Sequence, residues 1–320
     1  MEKAIFAMIA SAVVGVFVYP KFIEFLESKG SKQEVNEFAP DAFKEKKKTV
    51  TFGGAVFVAV PIIVMVILNG FTLNRDLFLL IMVYGSYALI GFVDDYKIVT
   101  EGKNDGISAK TKMAAQLGLS VVFYAVYILT GGDNMLSIPF LKTPINLGIF
   151  YLPLVMFMLS GASNAVNLTD GMDGLAGGTS LIAFIPFAYY AYKVGNFGVL
   201  LFILAIIGGL IAFLFFNRKP ARIFMGDVGS LALGAALAAV AIVLGKEVIL
   251  VVVAGVFVFE TLCVIIQKIS WKLRKKRIFR FTPIHYSFTL NGWDEADVVN
   301  MFYGIGLVCM VIGFVLLSLS

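Results

Sequence analysis

Apolar residues in this chain come in long runs rather than in alternation, beginning with the stretch from Ala4 to Tyr19. Several runs reach about 18 residues, enough for a helix to cross a hydrocarbon core roughly 30 Å thick. No water is available there, so helices, which pair their own N–H and C=O groups, are the economical way across. Unbroken runs also argue against the alternating strands of a membrane barrel. The pattern predicts ten spans, approximately 4–26, 51–69, 76–93, 111–130, 148–163, 175–193, 197–216, 227–244, 247–271 and 297–318. The chain therefore reads as an all-α polytopic membrane protein, with residues 1–320 forming a single integral membrane domain. The first run has one lysine ahead of it, balanced by Glu2, and no small-x-small cleavage pattern after it. It is expected to stay as the first helix.

Composition agrees with this pattern. Hydrophobic residues make up 59 % of the 320 positions and charged residues only 15 %, too few to cover a soluble surface of this size. The formal net charge of +5 could signal nucleic acid, but the distribution of the charge points elsewhere. Of the 26 Lys and Arg, 21 fall in the alternate loops 20–50, 94–112, 162–174, 217–226 and 268–295. Basic loops stay in the cytoplasm, so this set is predicted to face inward and both termini outward. The same residues would meet anionic lipid headgroups, and no nucleic-acid partner is required. Cys263 and Cys309 lie within apolar runs without metal-ligand spacing and read as small core residues. On the outer side, the stretch from Ser137 to Leu147 could form a small surface hairpin.

Polar side chains with chemical potential gather in the inward loops. Gly91-Phe-Val-Asp94-Asp95-Tyr96 puts two adjacent carboxylates at the predicted end of the third span. Neighbours on a helix diverge by about 100°, so the pair is no chelating clamp, and each acid should meet its own partner. Lys110 and Lys112 open the next span. Asn164, Asn167, Asp170 and Asp173 then fall at intervals of three beside Gly171 and Gly174. Such a stretch can grip a sugar, a nucleotide or a hydrated cation, although Asn and Asp also serve plain turns. It lacks the length and terminal Glu of a calcium loop. Asn217-Arg-Lys-Pro-Ala-Arg222-Ile-Phe224-Met-Gly-Asp227 follows, with Asp227 at the start of an apolar helix as either a metal ligand or a cap. Phe224 could stack on a base. His285, the one histidine, sits beside a basic cluster, and Glu260 lies within a span where a carboxylate needs a partner. Hard oxygen donors, a few ammonium groups and no Cys or multi-His cluster point to Mg²⁺ and phosphate rather than zinc or redox chemistry.

Three of these stretches, GFVDDY, NAVNLTDGMDGLAGG and FMGDVGSLALG, match in order and spacing the polyprenyl-phosphate N-acetylhexosamine-1-phosphate transferases. The resemblance spans nearly the whole chain and is nearest to the branch that makes lipid I for peptidoglycan in the bacterial cytoplasmic membrane. It implies transfer of phospho-MurNAc-pentapeptide from UDP to undecaprenyl phosphate, with release of UMP and dependence on Mg²⁺. It implies Asp94 and Asp95 as the acidic pair, with Asp94 the base that deprotonates the lipid phosphate, and Asp227 as the Mg²⁺ ligand. Lys112 and His285 join them as catalytic positions by the same resemblance. Lys46, Asn164, Asn167 and Asp170 match substrate-contacting positions, and Asp173, Asn217 and Phe224 the uridine pocket. A homodimer also fits the resemblance.

Two departures stand out. The family carries three consecutive histidines after Pro-Ile, whereas this chain has His285-Tyr286-Ser287. Its Thr-Pro-Thr-Met-Gly-Gly appears here as Thr49-Val-Thr-Phe-Gly-Gly, while Gly292-Trp293 and Glu295 follow at the expected distance. A related enzyme using UDP-GlcNAc is therefore the alternative within the class. An ion-coupled transporter built on Glu260 is the alternative from another.

Overall fold

The computed structural model describes residues 1–29, 49–101, 106–141 and 143–319. The described residues are mostly helical, in the order α1 (Glu2–Ser28), α2 (Gly54–Leu68), α3 (Arg75–Glu101), α4 (Ala109–Leu129), α5 (Tyr151–Thr169) and α6 (Leu175–Lys193). The order continues with α7 (Phe197–Asn217), α8 (Gly226–Val243), α9 (Glu247–Val253), α10 (Gly255–Arg274), α11 (His285–Leu290) and α12 (Glu295–Ser318). Among the described residues, eight helices are long and apolar enough to span a bilayer, and α9 with α10 makes a ninth, bent by 81°. α2, predicted as the second span, is apolar but only 15 residues long, shorter than a full crossing. The predicted hairpin forms with an earlier start: β1 (Met135–Leu136), ahead of the expected stretch, pairs antiparallel with β2 (Ile145–Asn146).

α8 is the axis of the assembly. Every residue from Val228 to Ile242 is buried, and α3 and α5 pack along it more extensively than any other helices. Lipid tails are as apolar as leucine, so helices here associate through close packing rather than water exclusion. The Gly and Ala content of Gly-Asp-Val-Gly-Ser-Leu-Ala-Leu-Gly-Ala-Ala-Leu-Ala-Ala supplies that closeness. At the α3 crossing, a Cβ on Gly91 would overlap the Asp227 backbone, and at the α5 crossing one on Gly234 would overlap Ala162. Elsewhere α1 lies along α7, and α12 lies along α6.

Two expectations about helix ends are corrected. Asp94 and Asp95 do not end their span: α3 runs on to Glu101, so the acids lie inside a helix. Likewise 163–174 is not one loop. α5 continues to Thr169, which puts Asn164 and Asn167 on a helical face and leaves a short connection around Asp170–Gly174. The ninth span is broken at Ala254, six residues ahead of Glu260.

A short backbone zipper joins two distant segments. Val50 and Ile223 form a parallel bridge, Phe224 N–H donates to Val50 O at 2.9 Å, and Gly53 and Gly54 N–H donate to Phe224 O and Met225 O at 2.7 and 2.8 Å. The entries to α2 and α8 are thereby tied together.

Candidate active site

The end of α8 that carries Asp227 meets α3, α4 and α5, and their polar residues converge there. Carboxylate oxygens of Asp94, Asp95 and Asp227 lie within 4.8 Å of one another. Asp94 and Asp95 are 4 % and 6 % exposed, so their charges need specific partners. As the helical geometry requires, the two acids turn to different ones. Asp94 accepts from Ile107 N–H at 2.8 Å and pairs with Lys112 Nζ at 2.9 Å. Asp95 accepts from the N–H groups of Asp227 and Val228 at 3.2 and 3.1 Å.

Asp95 is thus the acceptor for the first turn of α8, where free N–H groups favour an anion. The capping role considered for Asp227 belongs to Asp95 instead. Asp227 accepts from Asn167 Nδ2 at 2.6 Å and pairs closely with Lys112 Nζ. Lys112 therefore stands between Asp94 and Asp227. Asn167 Nδ2 also donates to Ser230 Oγ at 2.9 Å, and Asn164 Nδ2 donates to Gln116 Oε1 at 2.7 Å.

One ammonium beside three formal carboxylates leaves two negative charges, which a divalent cation would balance. All three acids offer hard oxygen donors, the set that Mg²⁺ takes in partnership with substrate phosphates. The residues fit such an ion.

A second polar group adjoins the first through α5. Asp173 Oδ2 accepts from Ala221 N–H at 3.0 Å, and Asn217 Oδ1 accepts from Gly174 N–H at 2.9 Å while its Nδ2 donates to Ile223 O at 2.8 Å. Asp173 and Asn217 are buried, and Phe224, seven residues after Asn217, is half-buried. The structure thus ties Asp173 and Gly174 to the segment from Asn217 to Ile223. Asp170 ends α5. Lys46 lies outside the described residues.

His285 is placed apart from the carboxylate trio, fully buried at the start of α11. Its Nδ1 lies 3.0 Å from Glu260 Oε1, whose carboxylate also accepts from Ile284 and His285 N–H at 2.8 and 3.3 Å. Glu260 is thereby braced inside the fold, the pairing an intramembrane carboxylate demands. Among the described residues His285 Nε2 has no hydrogen-bond partner, and it points at Gly171, where a Cβ would overlap it. Tyr286, in the place of the second histidine, donates its hydroxyl to Gly171 O at 3.1 Å. Burial pushes its phenol well above the usual value, which keeps that proton in place.

Sequence reading missed Gln116, Ser230 and Tyr303 as partners of the site. Gln116 stands one helical turn after Lys112 and Ser230 three residues after Asp227, spacings that share a face. Tyr303 carries no such local signal.

The pattern of glycosyl transferase family 4 matches residues 77–245, just over half of the chain. The chain is 41 % identical over 314 residues to phospho-N-acetylmuramoyl-pentapeptide-transferase of Geobacillus sp. (strain WCH70), covering 98 % of this chain and 97 % of that one. It is 44 % identical over 313 residues to the protein of that name from Shouchella clausii (strain KSM-K16), covering 97 % and 96 %. Over 304 residues it is 42 % identical to the one from Halalkalibacterium halodurans, covering 94 % and 93 %.

Proposed function

Because the chain belongs to glycosyl transferase family 4, among the phospho-N-acetylmuramoyl-pentapeptide transferases, we propose that it makes lipid I in the bacterial cytoplasmic membrane. Phospho-MurNAc-pentapeptide passes from UDP to undecaprenyl phosphate, and UMP leaves. An oxygen of the lipid phosphate forms a bond to the β-phosphorus as the bond from that phosphorus to the UMP oxygen breaks. The observation that carries this reading is the trio of buried Asp94, buried Asp95 and half-buried Asp227 around Lys112, since phosphoryl transfer depends on positioning and charge neutralisation.

The residues divide this work. Asp94 is the proposed base, taking the proton of the lipid phosphate, with Lys112 drawing the phosphates toward the trio. Asp95, committed at both oxygens to α8, is better read as the group that fixes Asp227. Asp227, with Asp94 beside it, would hold Mg²⁺. When bound, that ion would neutralise charge on the pyrophosphate. Asn164, Asn167 and Asp170 line the approach along α5. Asp173, Asn217 and Phe224 are proposed to receive uridine, and His285 and Tyr286 to border that loop at Gly171. The excess of basic residues in the loops on this side supports a cytoplasmic site, where the soluble donor is found.

UMP release by the purified enzyme, supplied with undecaprenyl phosphate and either UDP-MurNAc-pentapeptide or UDP-GlcNAc, tests the reading. Release from the first donor is expected, abolished by EDTA and restored by Mg²⁺. Release from UDP-GlcNAc alone would overturn the sugar assignment. Asp227→Ala with full Mg²⁺-dependent turnover would remove the metal assignment, and a trapped phospho-aspartate with donor alone would replace direct attack by two steps.

A further inference from the structure

The short connection carrying Asp170 and Asp173 is gripped by residues more than a hundred positions away. Tyr286 Oη donates to Gly171 O, Asp173 N–H donates to Glu295 Oε1 at 2.8 Å, and Tyr303 Oη donates to Gly174 O at 2.7 Å. Gly174 is the hinge of this arrangement. It adopts φ +81°, a left-handed conformation that other residues resist, and opens α6 as its N-cap. Its N–H is held by Asn217 and its C=O by Tyr303, so the residue is fixed from two sides.

Tyr303 reaches that carbonyl because two side chains are missing. A Cβ on Gly178 would overlap the Tyr303 ring, and one on Gly174 would stand 3.1 Å from its hydroxyl. The two glycines are one helical turn apart and share a face of α6, against which α12 packs. Gly174 O also accepts the ordinary helical bond from Gly178 N–H at 2.9 Å. Removing the tyrosine hydroxyl therefore leaves α6 with its bond and releases only the restraint from α12.

Building on the transferase reading above, we propose that Tyr303 is a positioning residue for the donor subsite. Its hydroxyl fixes the Gly174 carbonyl, and through Gly174 it holds Asp173 and Asn217 in the arrangement that receives the nucleotide. α12 thereby sets donor affinity from outside the three motif stretches of the site.

Tyr303→Phe tests this, with UMP release followed against UDP-MurNAc-pentapeptide and, separately, undecaprenyl phosphate. The donor KM is expected to rise about three- to tenfold, the worth of one hydrogen bond. The inhibition constant of UMP rises in proportion, while kcat and the lipid KM stay at the wild-type level. Gly178→Ala, which displaces the same ring, raises the donor KM at least as far. An unchanged donor KM in Tyr303→Phe would overturn the proposal, and so would an equal rise in both KM values, which marks general loosening. A wild-type enzyme that released no UMP would sink the transferase reading instead, before any variant was compared.

Discussion

Asp95 gives one oxygen to the N–H of Asp227 and the other to that of Val228, in the first turn of α8, so it grips the backbone on both sides of the Asp227 side chain. The position of the proposed metal ligand thus depends on a side chain one helix away. Groups of this kind orient metal ligands and typically change affinity by about 10–100-fold when lost. Asp95→Asn should accordingly raise the Mg²⁺ concentration for half-maximal UMP release by that order, and an unchanged Mg²⁺ dependence would make Asp95 dispensable for metal placement. Adjacent acids at 94 and 95 were legible as chemistry from the sequence, and their divergence followed from helical geometry. Which acid did what was not legible, because the partners, Ile107, Lys112 and the start of α8, come from three other stretches. Glu260 was similar: its need for a partner was plain, but its pairing with His285 required the fold.

At the scale of elements, apolar run length was enough to find the spans, since the membrane imposes that length directly. Ends were harder to read. Polar residues at the edge of the bilayer remain good helix material when a neighbouring helix satisfies them, as Asn164 and Asn167 show on α5 and Asp94 and Asp95 on α3. The bend at Ala254 has no proline, and its one local mark is Gly255, which opens α10. Helix crossings leave a clearer trace in glycine. Gly91→Ala would drive a methyl into the Asp227 backbone, an overpacking that costs about 1–3 kcal/mol and displaces α8 at its functional end. Lower thermal stability in detergent together with reduced UMP release is expected. Wild-type values for both would show that the crossing can relax.

The whole molecule has a direction as well as a shape. The proposed orientation, with the basic loops inside, puts the segment 217–226 in the cytoplasm and the β1–β2 hairpin with Ile149 outside. A membrane-impermeant thiol reagent should then label Arg222→Cys in inverted vesicles and Ile149→Cys in right-side-out vesicles. Both positions are exposed, while Cys263 is buried, which keeps its background low. The opposite labelling would turn the topology over and put the carboxylates on the side without UDP-sugars.

The backbone zipper between the entries to α2 and α8 bears on how this chain can vary. Thr49 and Ala221, 172 residues apart in sequence, flank a ladder in which Val50 O accepts from Phe224 N–H while Gly53 and Gly54 N–H donate in return to Phe224 O and Met225 O. Sliding either strand by one residue would break these pairs and carry Asp227 out of register with Asp95. An insertion or deletion in either stretch alone would break that register. Side chains can differ, as Val50 and Phe52 do from the family's Pro and Met, but the lengths of the two stretches constrain each other.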